Sequence, residues 1–591
     1  MSETIRYNLS IPDAHRHLIE VELRVERPQA GTLGLTMPSW SPGSYLLREY
    51  GRHVQAFEAH AGQATLGWRK RTRNRWEIDV PQDCSALVVR YRVFSHDYNV
   101  RANHVEDTHA FINGPSTFML VDGHLESTHQ VKVQAPFEDW RIHTGLERAD
   151  GKPKTPMGEA IFEASDFDEL VDCPLTLAPV DAIEFKAGGK RQQLVLVGRN
   201  DAPVEKMIAD MTGAIESSAE FFGGLPYERY LTVILHNDTG RGGLEHRNST
   251  ILMYYPYGYS TDEGYEDFLT LFCHEHFHVW NIKRIRPAVL GPFDYANENY
   301  TRALWIVEGI TCYYENVLLL RGGLMTPERF LELLGKRIGT LQNTPGRKLH
   351  SLEQASFDAW IKLYRQDEST PNTSVSYYLK GEIVAWALDL TIRARTGGQR
   401  SLDDIMLTLW GRYQETGEGF PEETFQQDAE AIVGCELGDF FDAYIRGRQE
   451  LDYDALLASV GMTLQPAKEP PSHGWLGINT SRRGDRVIIK NVLTDGPSAD
   501  AGLYADDELL AIDGMKVDRD SFKGRLERHK PGQTVNVHVF RRGALRQAAV
   551  TLGQHPVAAY KLVAQEEGAS DQALAIRQAW LKTPTQSSSD D

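Results

Sequence analysis

Residues 271 to 281, LFCHEHFHVWN, place three histidines and a glutamate in five positions of an otherwise apolar stretch. On a helix each residue turns the chain by about 100°, so residues four apart lie nearly one above the other. His274 and His278 therefore share a face, Glu275 lies beside it, and His276 sits roughly 200° round from His274 and points away. Leu271, Phe272, Phe277, Val279 and Trp280 are the apolar wrapping of a buried helix. In the pattern H-E-x-x-H two imidazoles hold zinc and the glutamate serves as general base. The competing reading is a core helix whose histidines bond to backbone, and a third ligand decides between them.

Composition narrows the classes. A chain of 591 residues exceeds one ordinary domain and predicts three or four. A formal charge of −19 argues against nucleic acid, and the short KRIRP run at 283 to 287 adjoins the histidine helix and forms no basic patch. The N-terminus carries no legible secretory signal, and no apolar run approaches the roughly 20 residues that span a bilayer. Five scattered cysteines predict reduced thiols and a cytoplasmic protein, with Cys273 and Cys312 as packing residues.

Residues 1 to 185 hold alternating runs such as IEVELRV and ALVVRYRVF between turn residues, which predicts an antiparallel β-sandwich. The loop-like MPSWSPGSYLLREYGRHV, 37 to 54, carries no derivable role. Residues 186 to 465 predict a catalytic body: an amphipathic helix over 203 to 223, strands at RYLTVILHND and NSTILMYY around the turn TGRGGLEH, then helices. Prolines at 464 to 473 mark a linker, short strands occupy 472 to 556, and 557 to 591 reads as a polar tail ending TPTQSSSDD.

Two glutamates compete as third ligand. Glu298 follows His278 after nineteen residues, the usual interval for zinc peptidases of the thermolysin kind, but lies in polar YANENYT. Glu308 follows after twenty-nine, inside apolar ALWIVEGITCYY, where an ionised carboxylate is costly unless it meets a cation. Burial favours Glu308; Glu298 then supports from outside the ligand set or begins the helix.

These segments carry a resemblance. LWIVEGITCYYE resembles the W-x-x-E-G-x-x-x-Y segment of aminopeptidase N-type enzymes, GGLEH at 242 to 246 resembles their G-x-M-E-N strand, and YLKG at 378 to 381 their Y-x-K-G. The longer ligand gap, PSWSPGSY and the C-terminal module resemble a narrower group, the PDZ-containing glycyl aminopeptidase family of zinc metallopeptidases. The resemblance implies a multidomain α+β chain: an N-terminal antiparallel β domain, a thermolysin-like mixed sheet with a helical body, and a PDZ domain. It implies one zinc per chain on His274, His278 and Glu308, Glu275 as base, and Tyr378 as donor to the oxyanion. GGLEH in place of G-x-M-E-N is a departure that bears on amine recognition.

Restriction to a peptide's first residue needs a partner for the α-ammonium; Glu245 suits that cation, while Gly242 and Gly243 permit close backbone approach. The family name implies small first residues such as glycine or alanine. GWLGI, 474 to 478, together with GPSADAGLYADDELLAIDG resembles a PDZ domain whose Trp475, Leu476, Gly477 and Ile478 receive a peptide carboxylate as an added strand. Docking of that module on the catalytic body is the alternative. The functions in competition are an aminopeptidase of peptides with free N-termini, a PDZ-assisted endopeptidase, and a non-catalytic adaptor.

Overall fold

The computed structural model describes residues 4–152, 154–565 and 567–582. The chain divides into two compact units, Met1–Tyr300 with Arg412–Phe420 and Thr301–Gly411 with Pro421–Asp591. The division falls inside the stretch 186 to 465 expected as one catalytic domain.

In the first unit, Leu18–Glu26 alternates buried and part-exposed residues and pairs antiparallel with Ala86–Phe94 in an eight-stranded sheet. Inward-facing Val21, Leu23, Val89 and Tyr91 enter a core with Leu35, Trp76 and Ile78 of a second sheet. The outward faces carry cross-strand pairs such as Arg90 with Glu22 at 2.7 Å. Pairing in this large sheet is antiparallel except between Ile5–Ser10 and His129–Gln134, which run parallel.

The same unit holds a five-stranded mixed sheet. Its central strands Lys190–Val197, Arg229–His236 and Ser249–Tyr254 are parallel, and Gly242–Glu245 lies antiparallel on one edge. The helix Val204–Phe222 links the first two of those strands. The helix Asp262–Phe277 starts on a cap in which the Thr261 hydroxyl accepts from the Gly264 N–H, with Asp262 and Glu263 in its first turn.

The second unit is helical, then β. Trp305–Gly309 forms a π-helical turn that runs into the helix Ile310–Arg321, and Leu379–Arg395 packs beside them. A β-carbon on Gly309 would fall 2.5 Å from the Gly381 α-carbon, so two glycines let these helices meet backbone to backbone. The PDZ fold is a sheet ordered Ile478–Arg483, Arg486–Val492, Glu508–Ile512, Thr534–Arg541, Ala544–Thr551 around Leu476, Ile489, Leu509 and Val537. It docks on the helices: Asn372 Nδ2 donates to the Val492 carbonyl at 2.8 Å and Asn491 Nδ2 to the Glu368 carbonyl at 3.0 Å.

The expected tail is a correction. Tyr560–Ala564 pairs antiparallel with Met462–Pro466, and Asp571–Trp580 is a helix capped by Ser570. Ala573, Ile576 and Trp580 fall on one helical face and are buried, which supplies the burial that the polar composition conceals. The stretch TPTQSSSDD lies outside the described residues. Among the described residues no helix is long and apolar enough to cross a membrane.

Candidate metal centre

In the first unit the Asp262–Phe277 helix presents His274 in its last turn, and His278 closes it while keeping helical backbone angles. Their Nε2 atoms face each other at 3.0 Å. Nδ1 of His278 lies 2.5 Å from the Asn281 carbonyl, which fixes Nδ1–H as the donor and leaves the Nε2 lone pair directed at His274. Two imidazoles converging in this way suit a metal ion. His276 is on the opposite side as expected, buried and 2.9 Å from the Tyr227 hydroxyl, and burial pushes it down to about 3.

The edge strand Gly242–Glu245 lies over this helix. Glu245, Glu275 and His278 bring ligand-type atoms within 4.8 Å of one another. Gly243 packs against Glu275: a β-carbon there would stand 2.2 Å from Glu275 Oε1. Gly242 has open space beside it. Arg101 fastens the strand by donating from Nη2 to the Gly243 carbonyl at 3.1 Å.

Glu245 itself is buried, and its Oε1 has no hydrogen-bond partner among the described residues. Gly43, in the SPG turn of PSWSPGSY, sits against its carboxylate with φ +88°. The segment is anchored by Trp40, whose indole donates to the Asp294 carbonyl at 2.8 Å. Next to Glu245, His246 and Lys283 contact Asp172 at 3.2 and 2.8 Å. Burial opposes the Lys283 ammonium, but the Asp172 and Glu245 carboxylates outweigh it and raise its pKa above that of an ordinary lysine. Burial also opposes the Asp172 charge, and Lys283 with His246 outweighs it, holding that carboxyl well below the usual range. Of KRIRP, Arg284 is buried and Lys283 part-buried; Arg284 donates to the Val279 carbonyl at 2.7 Å and to the Pro226 carbonyl at 2.8 Å.

In the second unit Glu308 is buried on the π-helical turn, a form that recurs at functional sites. Tyr378 precedes the helix Leu379–Arg395, its ring stacked on Tyr377 at 4.6 Å and its hydroxyl 3.2 Å from that of Tyr364. Burial and, after it, the Glu308 charge raise the Tyr378 pKa well above 10, so the phenol stays protonated and able to donate. In the PDZ fold, Trp475 bridges to Gly553, Leu476 is buried, and Gly477 adopts φ +72° where a β-carbon would fall 2.5 Å from the Gly496 α-carbon. Ile478 opens the strand that forms one edge of the sheet.

Sequence reasoning missed Gly43, Arg101, Asp172 and Lys283. The sole sign of Gly43 was the Pro-Gly punctuation of its loop.

A helix end with two facing imidazoles, flanked by a buried carboxylate and a glycine-rich edge strand, defines a metallopeptidase of the H-E-x-x-H class. Residues 6–179 match the Peptidase M61 N-terminal domain, 267–384 the M61 glycyl aminopeptidase domain and 474–552 a PDZ domain. The fold is similar to the crystal structure of an aminopeptidase N family protein from Idiomarina loihiensis, 30% identical, with a TM-score of 0.91 over 98% of this chain and 100% of that one. The chain belongs to the PDZ-containing glycyl aminopeptidase family of zinc metallopeptidases. A solved M1 zinc metallopeptidase from Deinococcus radiodurans is similar at 14% identity and TM-score 0.48, covering 76% of this chain and 94% of that one. A probable periplasmic serine endoprotease DegP-like protein of Halomonas elongata is 37% identical over 98 residues, 14% of this chain and 21% of that protein, so the chain spans about a fifth of that relative.

Proposed function

We propose that this chain is a zinc aminopeptidase that releases one residue at a time, a small one such as glycine or alanine, from peptides with a free N-terminus. The observation that carries the reading is Glu245, a buried carboxylate beside Glu275 and His278 whose Oε1 accepts no hydrogen bond from the described residues. An α-ammonium brings the donor and the positive charge that such an oxygen needs. Gly43 packs against the same carboxylate, where a β-carbon of its own would meet Oε1 at 2.4 Å, and the preference for a small first residue rests on the family resemblance.

His274 and His278, with Nε2 atoms 3.0 Å apart, fit a zinc ion, and Glu308 is proposed as the third ligand of that one zinc. Its support is the chemistry of its own turn, a buried carboxylate among Trp305, Ile306, Val307 and Ile310. Bound there, zinc lowers the pKa of water and polarises a carbonyl. Glu275 takes the proton of the attacking water and returns it to the leaving amine. The Tyr378 hydroxyl donates to the carbonyl oxygen as charge grows on it. Glu245 fixes the N-terminus so that only the first peptide bond is presented.

The edge strand Ile478–Arg483 and the Trp475–Ile478 loop are proposed to bind a peptide carboxylate by strand addition. A cytoplasmic setting is supported by five free cysteines.

Comparing free and N-acetylated glycyl-alanyl peptides tests the reading. Acetylation removes the charge and adds bulk at Glu245, so the rate should fall roughly a thousandfold, on the scale of a broken desolvated charge pair. Comparable rates, or internal fragments released before any free amino acid, would identify an endopeptidase and end the proposal.

A further inference from the structure

A second group of ligand-type side chains lies in the N-terminal β domain. His104–Val105 and Ala110–Ile112 pair as a hairpin, Ala110 opposite Val105, with the Glu106 N–H donating to the His109 carbonyl at 3.0 Å. This turn gathers His104, Glu106 and His109 so that one ring nitrogen of each histidine and a carboxylate oxygen lie within 4.8 Å of one another. Nε2 of His104 is 3.2 Å from one Glu106 oxygen and Nδ1 of His109 is 3.3 Å from the other. In a zinc tetrahedron with bonds of about 2.05 Å the ligand atoms stand ~3.3 Å apart, so each histidine nitrogen stands one such edge from the carboxylate oxygen it faces, and a single oxygen of Glu106 lies within reach of both.

The charges are matched to a cation. Both rings are buried, and burial lowers their pKa values, that of His109 to about 4, so both are neutral bases at pH 7. Burial acts to raise the pKa of Glu106, but the Thr108 hydroxyl and the two histidines outweigh it and keep the carboxylate ionised. Among the described residues no lysine or arginine pairs with Glu106. Two neutral nitrogens and one negative oxygen, with no protein cation between them, are the donor set of a divalent transition-metal ion. The Glu106 side chain is 36% exposed, which gives an ion entry from solvent. Around the cluster, the His17 and His96 rings stack at 3.9 Å, and Tyr98 and His96 flank His104 at 4.6 and 5.2 Å.

We propose that His104, Glu106 and His109 form a second divalent-cation site of the zinc class, distinct from the H-E-x-x-H helix and independent of the peptidase reaction, that closes the hairpin. The test uses the full chain, stripped with chelator and dialysed to equilibrium against micromolar free Zn2+, with zinc counted by elemental analysis. The wild type should hold two zinc ions and Glu106→Gln one, with peptidase activity retained. His278→Gln should hold one and lose activity. Co2+ loaded into His278→Gln should give a visible absorption band that the added Glu106→Gln substitution abolishes. The proposal is overturned if the wild type holds a single zinc, or if Glu106→Gln leaves zinc content and the cobalt band unchanged. Two zinc ions still bound to His278→Gln would instead point to the H-E-x-x-H helix as misread, leaving the hairpin site standing.

Discussion

Gly43 roofs Glu245: a β-carbon on this glycine would lie 2.4 Å from the glutamate's Oε1. The loop that carries it had no role legible in the sequence, and the contact makes it a wall of the amine site proposed at Glu245.

Gly43→Ala should therefore damage amine recognition without touching the metal. The new methyl group meets a carboxylate at a backbone φ of +88° that alanine adopts only under strain. A displacement worth ~1–3 kcal/mol predicts a loss of about tenfold to a hundredfold in kcat/KM, mainly through KM. Zinc content should be unchanged, and steady-state kinetics with glycyl peptides alongside elemental analysis checks both.

Gly243→Ala should act on the base instead. The added carbon would stand 2.2 Å from Glu275 Oε1, so the carboxylate must move away from its station beside His278. A misplaced general base costs on the order of a hundredfold in kcat, and Glu275→Gln should cost as much or more with zinc retained. Near-normal turnover in Glu275→Gln would remove it from the mechanism.

Tyr378→Phe should lower kcat by roughly a hundredfold to a thousandfold, as loss of an oxyanion donor does, and leave KM almost unchanged. The phenol's pKa is raised well above 10 by burial and by Glu308, so it does not ionise in the working range. The alkaline limb of the wild-type pH profile should accordingly persist in Tyr378→Phe. Its disappearance would show that the phenol itself titrates there.

Acid should weaken the N-terminal β domain through buried histidines. Burial pushes His129 and His143 to about 4, while their unfolded value is about 6.5. The unfolded chain therefore binds more protons, so the contribution is present above pH 6.5 and is lost as pH falls toward 4. Each group supplies a slope of ~1.4 kcal/mol per pH unit in that window. Urea midpoints should fall from pH 7 to pH 4.5, and His143→Gln should flatten the dependence by about one proton.

What was legible was local. The H-E-x-x-H face follows from helical period alone, the strands Leu18–Glu26 and Ala86–Phe94 from alternation, and Glu308 could be nominated because its neighbours are apolar. What was hidden depends on contacts between distant segments. Arg101 reaches Gly243 across 142 positions and Lys283 reaches Asp172 across 111, and neither has a local signature. The helix Asp571–Trp580 was passed over because three buried residues in ten, amid polar ones, give a weak periodic signal.

That helix sets an order of assembly. Trp580 donates from its indole to the Tyr313 hydroxyl at 3.0 Å, and Tyr313 in turn donates to Asp389 at 2.8 Å, tying the helix that follows Glu308 to the one that follows Tyr378. Trp580 is made 267 residues after Tyr313, tens of seconds later at a ribosomal rate of roughly 5–20 residues per second. A nascent chain thus carries Tyr313 and Asp389 long before the indole that ties their helices together has been synthesised. A chain released early lacks the hydrogen bond that joins these two helices through Tyr313, so the timing of translation sets when that part of the fold is braced.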